Sequence, residues 1–367
     1  MPIKVFAYYA NTPKKIIGQF KPMTPGDPGM PDCYSDWFAF TNDFEPTDNL
    51  VDVLAQNTRI ACIPAFLDVS NLDIEKFQLI LVTVTDLEQI PNIENWLAKS
   101  KINNYLVALG AVEGYNELPK NYFIRPWYVW QILRDSDLQE CQLQSTSYLF
   151  ESLLGSCKDH RDFVMAYMNK SGLLEKSIIT YRENFSSQTF VSDEMNQYIK
   201  ARNLIVRHPY ISPNIQPNWE QRCDTSSGIK AWVVPWDILA HSQYSIVTES
   251  YPERAFIMSE KTAKPIVARR LFIMFGPQHY LHHLRHFFGF KTFDGIIDES
   301  YDNISNKFER WEAAWDQVEW LAQQDYNSIV KRASTILEYN RNHLLNLQRS
   351  ICNSMVDVVK QKIQSTI

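Results

Sequence analysis

Residues 244–293, YSIVTESYPERAFIMSEKTAKPIVARRLFIMFGPQHYLHHLRHFFGFKTF, constrain this chain more than any other stretch. An apolar run at 244–247 stops at Thr248-Glu249, and a short loop follows. The spacing predicts a helix opening at Ser259-Glu260-Lys261-Thr262, then a second apolar run at 271–275 that stops at Gly276-Pro277. Strand, loop, helix, strand is the repeating unit of a parallel α/β sheet. In such sheets ligands sit outside the carboxyl ends of the strands, where helix N-termini offer unpaired N–H groups to phosphate. Glu260 is a carboxylate suited to ribose hydroxyls, and Lys261 and Lys264 are cations suited to a diphosphate. Together they fit a nucleotide-sugar.

A similar unit opens near residue 148. The run YLFESLLG ends at Gly155, and Ser156-Cys157-Lys158-Asp159-His160-Arg161-Asp162 leads into a helix through Met168. A strand, a Gly-containing turn and a basic helix start again suit phosphate. Lys158 and Arg161 are the cations expected near the diphosphate, Arg because its fork matches planar oxygen pairs. A plain αβ turn with a charged first helical turn is the alternative.

Before this, residues 3–9 read as an opening strand, followed by a Pro/Gly-rich loop at 13–32 that would fall at the carboxyl edge of a sheet. Tyr34, Trp37, Phe38 and Phe40 cluster after it as core or loop aromatics. Further strands are expected at 59–64, 77–85 and 104–109, with a helix at 92–101 and Glu113 just past the last strand. Residues 121–145 read as a connection between domains. Short strands are expected at 176–180 and 231–234, and a helix from Pro235-Trp236-Asp237. Beyond 293, residues 308–323 and 326–362 carry the three- and four-residue apolar spacing of long helices. The expected fold is therefore α/β, two Rossmann-like domains (1–145 and 146–305) with a helical C-terminal extension (306–367).

At 367 residues the chain exceeds one ordinary core, and 45% hydrophobic with 21% charged residues describes a water-soluble globular protein. No apolar run approaches the ~20 residues that span a bilayer. The start, Met1-Pro-Ile-Lys-Val, has no signal-peptide apolar region. Six scattered cysteines without a CxxC pair read as reduced thiols, so a cytoplasmic setting without disulfides is expected. The net charge of −6 argues against a large nucleic-acid surface. It permits a local basic cleft from Lys261, Lys264, Arg269, Arg270, Arg285 and Lys291, for each of which a solvated helix face is the alternative.

The runs SEKTAKPI, FIMFG and GFKTFD resemble the donor-binding region of GT-B glycosyltransferases, whose two Rossmann-like domains face each other. The fucosyltransferase-like group carries a similar Glu-Lys stretch, small-residue helix and strand ending in Gly, and bacteriophage and bacterial members look closer still. The resemblance covers roughly residues 145–305 and thins before that. It implies an enzyme that takes a nucleotide-sugar as co-substrate, with no further cofactor. Lys158, Arg161, Thr248, Glu249, Ser259, Glu260, Lys261 and Lys264 would form its donor site. Some phage enzymes of this architecture glycosylate hydroxymethylated bases in DNA. The resemblance thus implies double-stranded DNA as a partner, with Arg269, Arg270 and Arg285 on the acceptor side.

Three other motifs bear on the chemistry. Asp135-Ser136-Asp137 is a DxD, but it follows helical-looking sequence rather than the apolar strand that metal-binding DxD motifs follow. His279, His282, His283 and His286 form two overlapping i, i+4 pairs that could hold zinc, yet no carboxylate or Cys lies at helical ligand distance. A polar helix face near phosphate is the expectation, and no metal is required. A Ser hydrolase fails for want of G-x-S-x-G.

Sugar transfer builds negative charge on the leaving phosphate, which Lys158, Arg161, Lys261 and Lys264 would stabilise without a metal. An inverting transfer also needs a carboxylate to deprotonate the acceptor. Glu113 leads, followed by Asp36 and Asp32. Three functions stay open: a transferase acting on modified DNA bases, one acting on a glycan or small molecule, and a non-catalytic nucleotide-sugar or nucleic-acid binding module.

Overall fold

The computed structural model describes residues 2–7, 37–38, 41–47, 49–65, 69, 72–84, 93–112, 117–126, 129, 147–155, 157–181, 191–212, 234–253 and 255–365. It divides into two compact units, Met1–Trp127 with Asn346–Ile367, and Tyr128–Leu345. The division expected from sequence, 1–145, 146–305 and 306–367, groups the terminal helices differently.

The first unit holds β1 (Ile3–Ala7), β2 (Phe44–Thr47), α1 (Leu50–Leu54), β3 (Ile60–Pro64), β4 (Leu79–Val84), α2 (Ile93–Lys99), β5 (Tyr105–Leu109) and β6 (Tyr122–Ile124). Its sheet runs β2-β1-β3-β4-β5-β6, parallel at every pair. β3 and β4 are buried at every position, which is why they read as near-continuous apolar runs, interrupted at Thr83, rather than alternating ones. The two edges escaped the sequence reading. β2 contains Pro46, and an edge strand tolerates the missing donor. β6 lies within the stretch expected to connect domains, and its three residues are too few for a periodic signal.

The second unit holds β7 (Tyr148–Leu154), α3 (Asp159–Lys170), β8 (Ile178–Tyr181), α4 (Asp193–Ala201), β9 (Tyr210–Ile211), α5 (Trp236–His241), β10 (Ser242–Thr248), α6 (Glu260–Val267), β11 (Phe272–Phe275), α7 (Tyr280–Phe288) and α8 (Lys307–Leu321). Its sheet runs β11-β10-β7-β8-β9, parallel except for the antiparallel edge β9. From β7 the chain steps to β8 and β9 on one side, then returns to build β10 and β11 on the other. The reversal falls between β7 and β10, so the connections leaving these two strands run in opposite directions across the sheet. Its core is aromatic. Phe163 lies 5.7 Å from Trp311 and 6.0 Å from Phe275, and Phe150 lies 5.7 Å from Tyr244.

The last helix, α9 (Tyr326–Gln364), starts in the second unit and ends in the first. There Met355, Val356, Val359 and Ile363 join Val5, Ile60, Cys62, Leu79, Leu81, Leu106 and Ala108 in one core cluster. The helix end therefore covers one face of the first sheet, a layer no local pairing supplies. Among the described residues, no helix is long and apolar enough to cross a membrane. Both units are α/β with largely parallel sheets, and the long helices expected beyond residue 306 are α8 and α9.

Candidate functional site

The site is built from the ends of β7 and β10. After β7 the chain passes Gly155 and Cys157 into α3, whose residues 159–168 are all buried. Four consecutive polar residues are inside: Asp159 (5% exposed), His160 (0%), Arg161 (3%) and Asp162 (8%). Burial of polar groups is costly unless each finds a partner. Asp159 accepts from the backbone N–H and hydroxyl of Ser192 at 2.7 and 2.6 Å. Asp162 accepts from the Tyr181 hydroxyl. His160 Nε2 lies 2.6 Å from the Glu249 carbonyl, so Nε2 carries the proton. Burial, then the Arg161 charge, keeps this imidazole neutral well below its ordinary range. Lys158, at the N-cap of α3, offers no side-chain acceptor to the first helical N–H groups, and that helix end is electropositive.

After β10 come Thr248 and Glu249, expected to meet the sugar or base. Both are buried, Glu249 completely. Glu249 Oε1 accepts from Ser259 N–H (3.1 Å) and the Thr262 hydroxyl (2.6 Å), with the Tyr280 hydroxyl at 3.1 Å. Oε2 accepts from Ser250 N–H (3.1 Å) and the Ser259 hydroxyl (2.6 Å). Glu249 is thus the knot that ties Ser250 to Ser259 and Thr262 at the start of α6, and its carboxylate is occupied by the protein. Ser259 caps α6, accepting from Lys261 N–H at 3.2 Å while donating to Glu249. Of the two helix starts expected to greet phosphate, only that of α3 lacks a side-chain cap.

The cations meet at Ser250. Lys158 Nζ donates to the Ser250 carbonyl at 2.6 Å, and Lys261 Nζ donates to its hydroxyl at 3.1 Å. Lys261 also pairs with Glu260 at 2.6 Å, both largely buried. Burial disfavours the Glu260 carboxylate, but Lys261 and Lys264 outweigh this and hold it below its ordinary range. Burial, then the charges of Arg161 and Lys261, push Lys158 down to about 8, and Glu249 resists. Arg161 is likewise lowered by burial, while Tyr181, Glu260 and Glu249 favour its charge. Lys158, Arg161, Glu260 and Lys261, a hundred residues apart in two pairs, therefore share one electrostatic cluster. Lys264 stands farther along α6 and acts on both Glu260 and the buried Glu151 of β7.

Gly155 fixes the place of Arg161. A Cβ added there would lie 3.2 Å from Arg161 Nη1. We expect Gly155→Ala to displace the guanidinium by a few tenths of an ångström with little change in melting temperature, and to weaken any anion binding at this site several-fold. An unchanged affinity by titration calorimetry would remove Arg161 from the site.

Of the basic residues expected on the acceptor side, Arg270 is corrected. Arg270 is 1% exposed and donates to the Tyr326 hydroxyl and the Leu239 carbonyl, so it belongs to the core. Arg269, at φ 53° past the end of α6, pairs with Glu338 at 2.6 Å. Arg285 remains partly exposed but bonds Glu299 at 2.9 Å and the Thr292 hydroxyl. These three do not form a free cationic patch.

The four histidines run from the N-cap of α7 to its last turn. The rings of His282 and His286 stack at 5.7 Å, and that of His283 packs against Phe256 and Phe287. Burial, then the neighbouring histidines, lower His283 to about 4. Among the described residues, no three His, Cys, Asp or Glu side chains are grouped to hold a metal ion. Glu113, Asp36, Asp32 and the Asp135-Ser136-Asp137 triplet lie outside the described residues.

His160, Asp159, Ser250 and Tyr280 were not singled out from sequence. The available signal was DHRD, four polar residues opening a helix that continues FVMAYM, since a solvated first turn needs no such apolar continuation on every side.

No family model and no curated protein matches this chain. A solved structure, that of the DNA modifying enzyme beta-glucosyltransferase in the presence and absence of the substrate uridine diphosphoglucose, is similar. The TM-score is 0.34 at 11% identity, with 85% of this chain and 83% of that chain covered.

Proposed function

We propose that this chain is a glycosyltransferase of the GT-B kind. It moves a hexosyl or pentosyl group from a nucleotide-diphosphate sugar, a UDP-sugar, to a hydroxyl acceptor. The observation that carries this reading is the meeting of Lys158 and Lys261 on Ser250, beside Arg161 and Glu260, at the reversal point of a parallel sheet. Three cations against two carboxylates, one of them occupied, leave a site short of negative charge. A diphosphate supplies it. Between unit charges about 4 Å apart, each contact is worth roughly 4 kcal/mol at an effective dielectric of 20. The same cations then stabilise the charge that develops on the departing phosphate. Glu260, held ionised by Lys261 and Lys264, is the group for ribose hydroxyls. The acceptor hydroxyl loses its proton to a carboxylate, for which Glu113, Asp36 and Asp32 are proposed.

Hydroxymethylated cytosine in DNA is the first candidate acceptor, supported by the resemblance of residues 259–294 to bacteriophage members. The protein-bonded Arg269 and Arg270 favour a glycan or small-molecule acceptor instead. Salt separates them, because phosphate contacts release counterions and make binding steeply salt-dependent. Donor screening by mass spectrometry, reading released UDP or GDP with each acceptor, tests the reaction. Donor binding without turnover on any acceptor would leave a binding module.

Two outcomes are expected. Donor affinity falls as pH rises through about 8, where Lys158 loses its proton, and Lys158→Met flattens that profile; a flat wild-type profile from pH 7 to 9.5 would count against Lys158. The sign for stability is opposite. A lysine depressed by folding penalises the folded state below about 8, and the penalty is relieved as pH rises toward the unfolded value near 10.5. Transfer is also expected to survive EDTA. Complete loss would return attention to the histidines of α7 or the DxD.

A further inference from the structure

Lys307, the first residue of α8, is 13% exposed and its ammonium touches three carboxylates. Asp159 Oδ2 lies at 3.1 Å, Glu194 Oε2 at 2.9 Å and Glu253 Oε1 at 3.1 Å. These belong to the first residue of α3, the first turn of α4 and the loop after β10. Three segments that do not otherwise follow one another are thus tied to one charge. The side chain also lies over the Phe308 ring, 5.1 Å from its centroid. Although burial works against the ammonium, the three carboxylates win and hold it charged far above its ordinary range.

Two of the tied segments build the anion site. Asp159 is one residue after Lys158 and two before Arg161, and the loop bearing Glu253 also bears Ser250, on which Lys158 and Lys261 meet. Glu249 knots the far side of the same loop through Ser259 and Thr262. The loop after β10 is therefore held at both its ends, Ser250 and Ser259, by a carboxylate knot and at Glu253 by an ammonium clamp.

We propose that Lys307 is a positioning residue for the anion site: it clamps the loop after β10 to the start of α3, so that Lys158, Arg161 and Lys261 present one surface to a diphosphate. Its role in binding rests on the reading of the site given above; the clamp itself does not. Local opening of a loop shows in amide exchange at a free energy set by the contacts that hold it. The wild type, Lys307→Met and Lys307→Arg are compared by hydrogen exchange of residues 250–258 without ligand, then by calorimetry with UDP and with inorganic pyrophosphate. Lys307→Met is expected to speed exchange in this loop about tenfold or more and to weaken both ligands at least fivefold. Lys307→Arg, which keeps the charge, should restore most of both. Unchanged loop exchange in Lys307→Met overturns the clamp. A loosened loop with unchanged affinity for both ligands overturns the positioning role. A wild type that binds neither UDP nor pyrophosphate overturns the glycosyltransferase reading and with it the positioning role, while loop exchange still decides the clamp.

Discussion

Replacing Glu249 with alanine is expected to cost at least about 3 kcal/mol of folding stability, seen as a lower urea midpoint. Its carboxylate is completely buried, and the donors it serves lie on three segments: Ser250 after β10, Ser259 and Thr262 at the start of α6, and Tyr280 in α7. Truncation leaves the buried N–H and hydroxyl of Ser259 without their acceptor, while the Tyr280 hydroxyl keeps the Ile257 carbonyl. An unsatisfied buried donor loses about 1–3 kcal/mol, more than the net value of an ordinary hydrogen bond. Glu249→Gln keeps the shape but turns an amide NH2 toward hydroxyls or N–H groups, so an intermediate loss of about 1–3 kcal/mol is expected. The same change removes the negative charge that supports Lys158, and its pKa should fall further. A Glu249→Ala protein with the wild-type midpoint would mean that the knot does not hold this unit together.

The second large effect is on the proposed transfer activity. Arg161→Ala and Lys261→Ala are each expected to slow transfer more than tenfold, and Glu260→Gln to weaken donor binding. Removing one preorganised donor to developing negative charge typically loses about 10²–10³ in rate. Arg161 stands inside the cluster at 3% exposure, so it has the fixed geometry on which that magnitude depends. Lys261 is more exposed and shares its charge with Glu260, which argues for the smaller end of the range. Rates of UDP release under saturating and limiting donor separate binding from turnover. Wild-type kinetics in all three variants would refute the donor-site assignment. Because Arg161 is buried, its variant should be checked for folding by circular dichroism, and Lys261→Ala serves where that check fails.

How far the chain could be read without coordinates depended on the range of the forces involved. The runs at 60–64, 79–84 and 272–275 were visible because a strand buried on both faces is apolar at nearly every position. The edge strands β2 and β6 were not, since an edge needs neither length nor apolar continuity. Glu249 and Glu260 show where local reading stops. Both are acidic residues near a strand end or helix start, yet one is knotted inside and the other sits among cations. That choice is made by how residues 250–258 fold back. Arg269 and Arg270 divide in the same way. Arg269 takes a left-handed conformation at the end of α6, and Arg270 N–H returns to the Pro265 carbonyl, which turns the next side chain inward. No spacing rule separates two adjacent arginines.

From the sequence alone came the alternation of strand and helix, the two polar helix starts and the identity of the cations beside them. These follow from periodicity and from local preferences that act over a few residues. Only the tertiary structure decided that the pairs at 158–161 and 260–261 belong together, because a strand order that reverses between β7 and β10 is a non-local pairing. It also decided which charged side chains gather beside the ends of β7 and β10 and which are held elsewhere by the protein, since burial is set by whatever distant segment comes to cover each group.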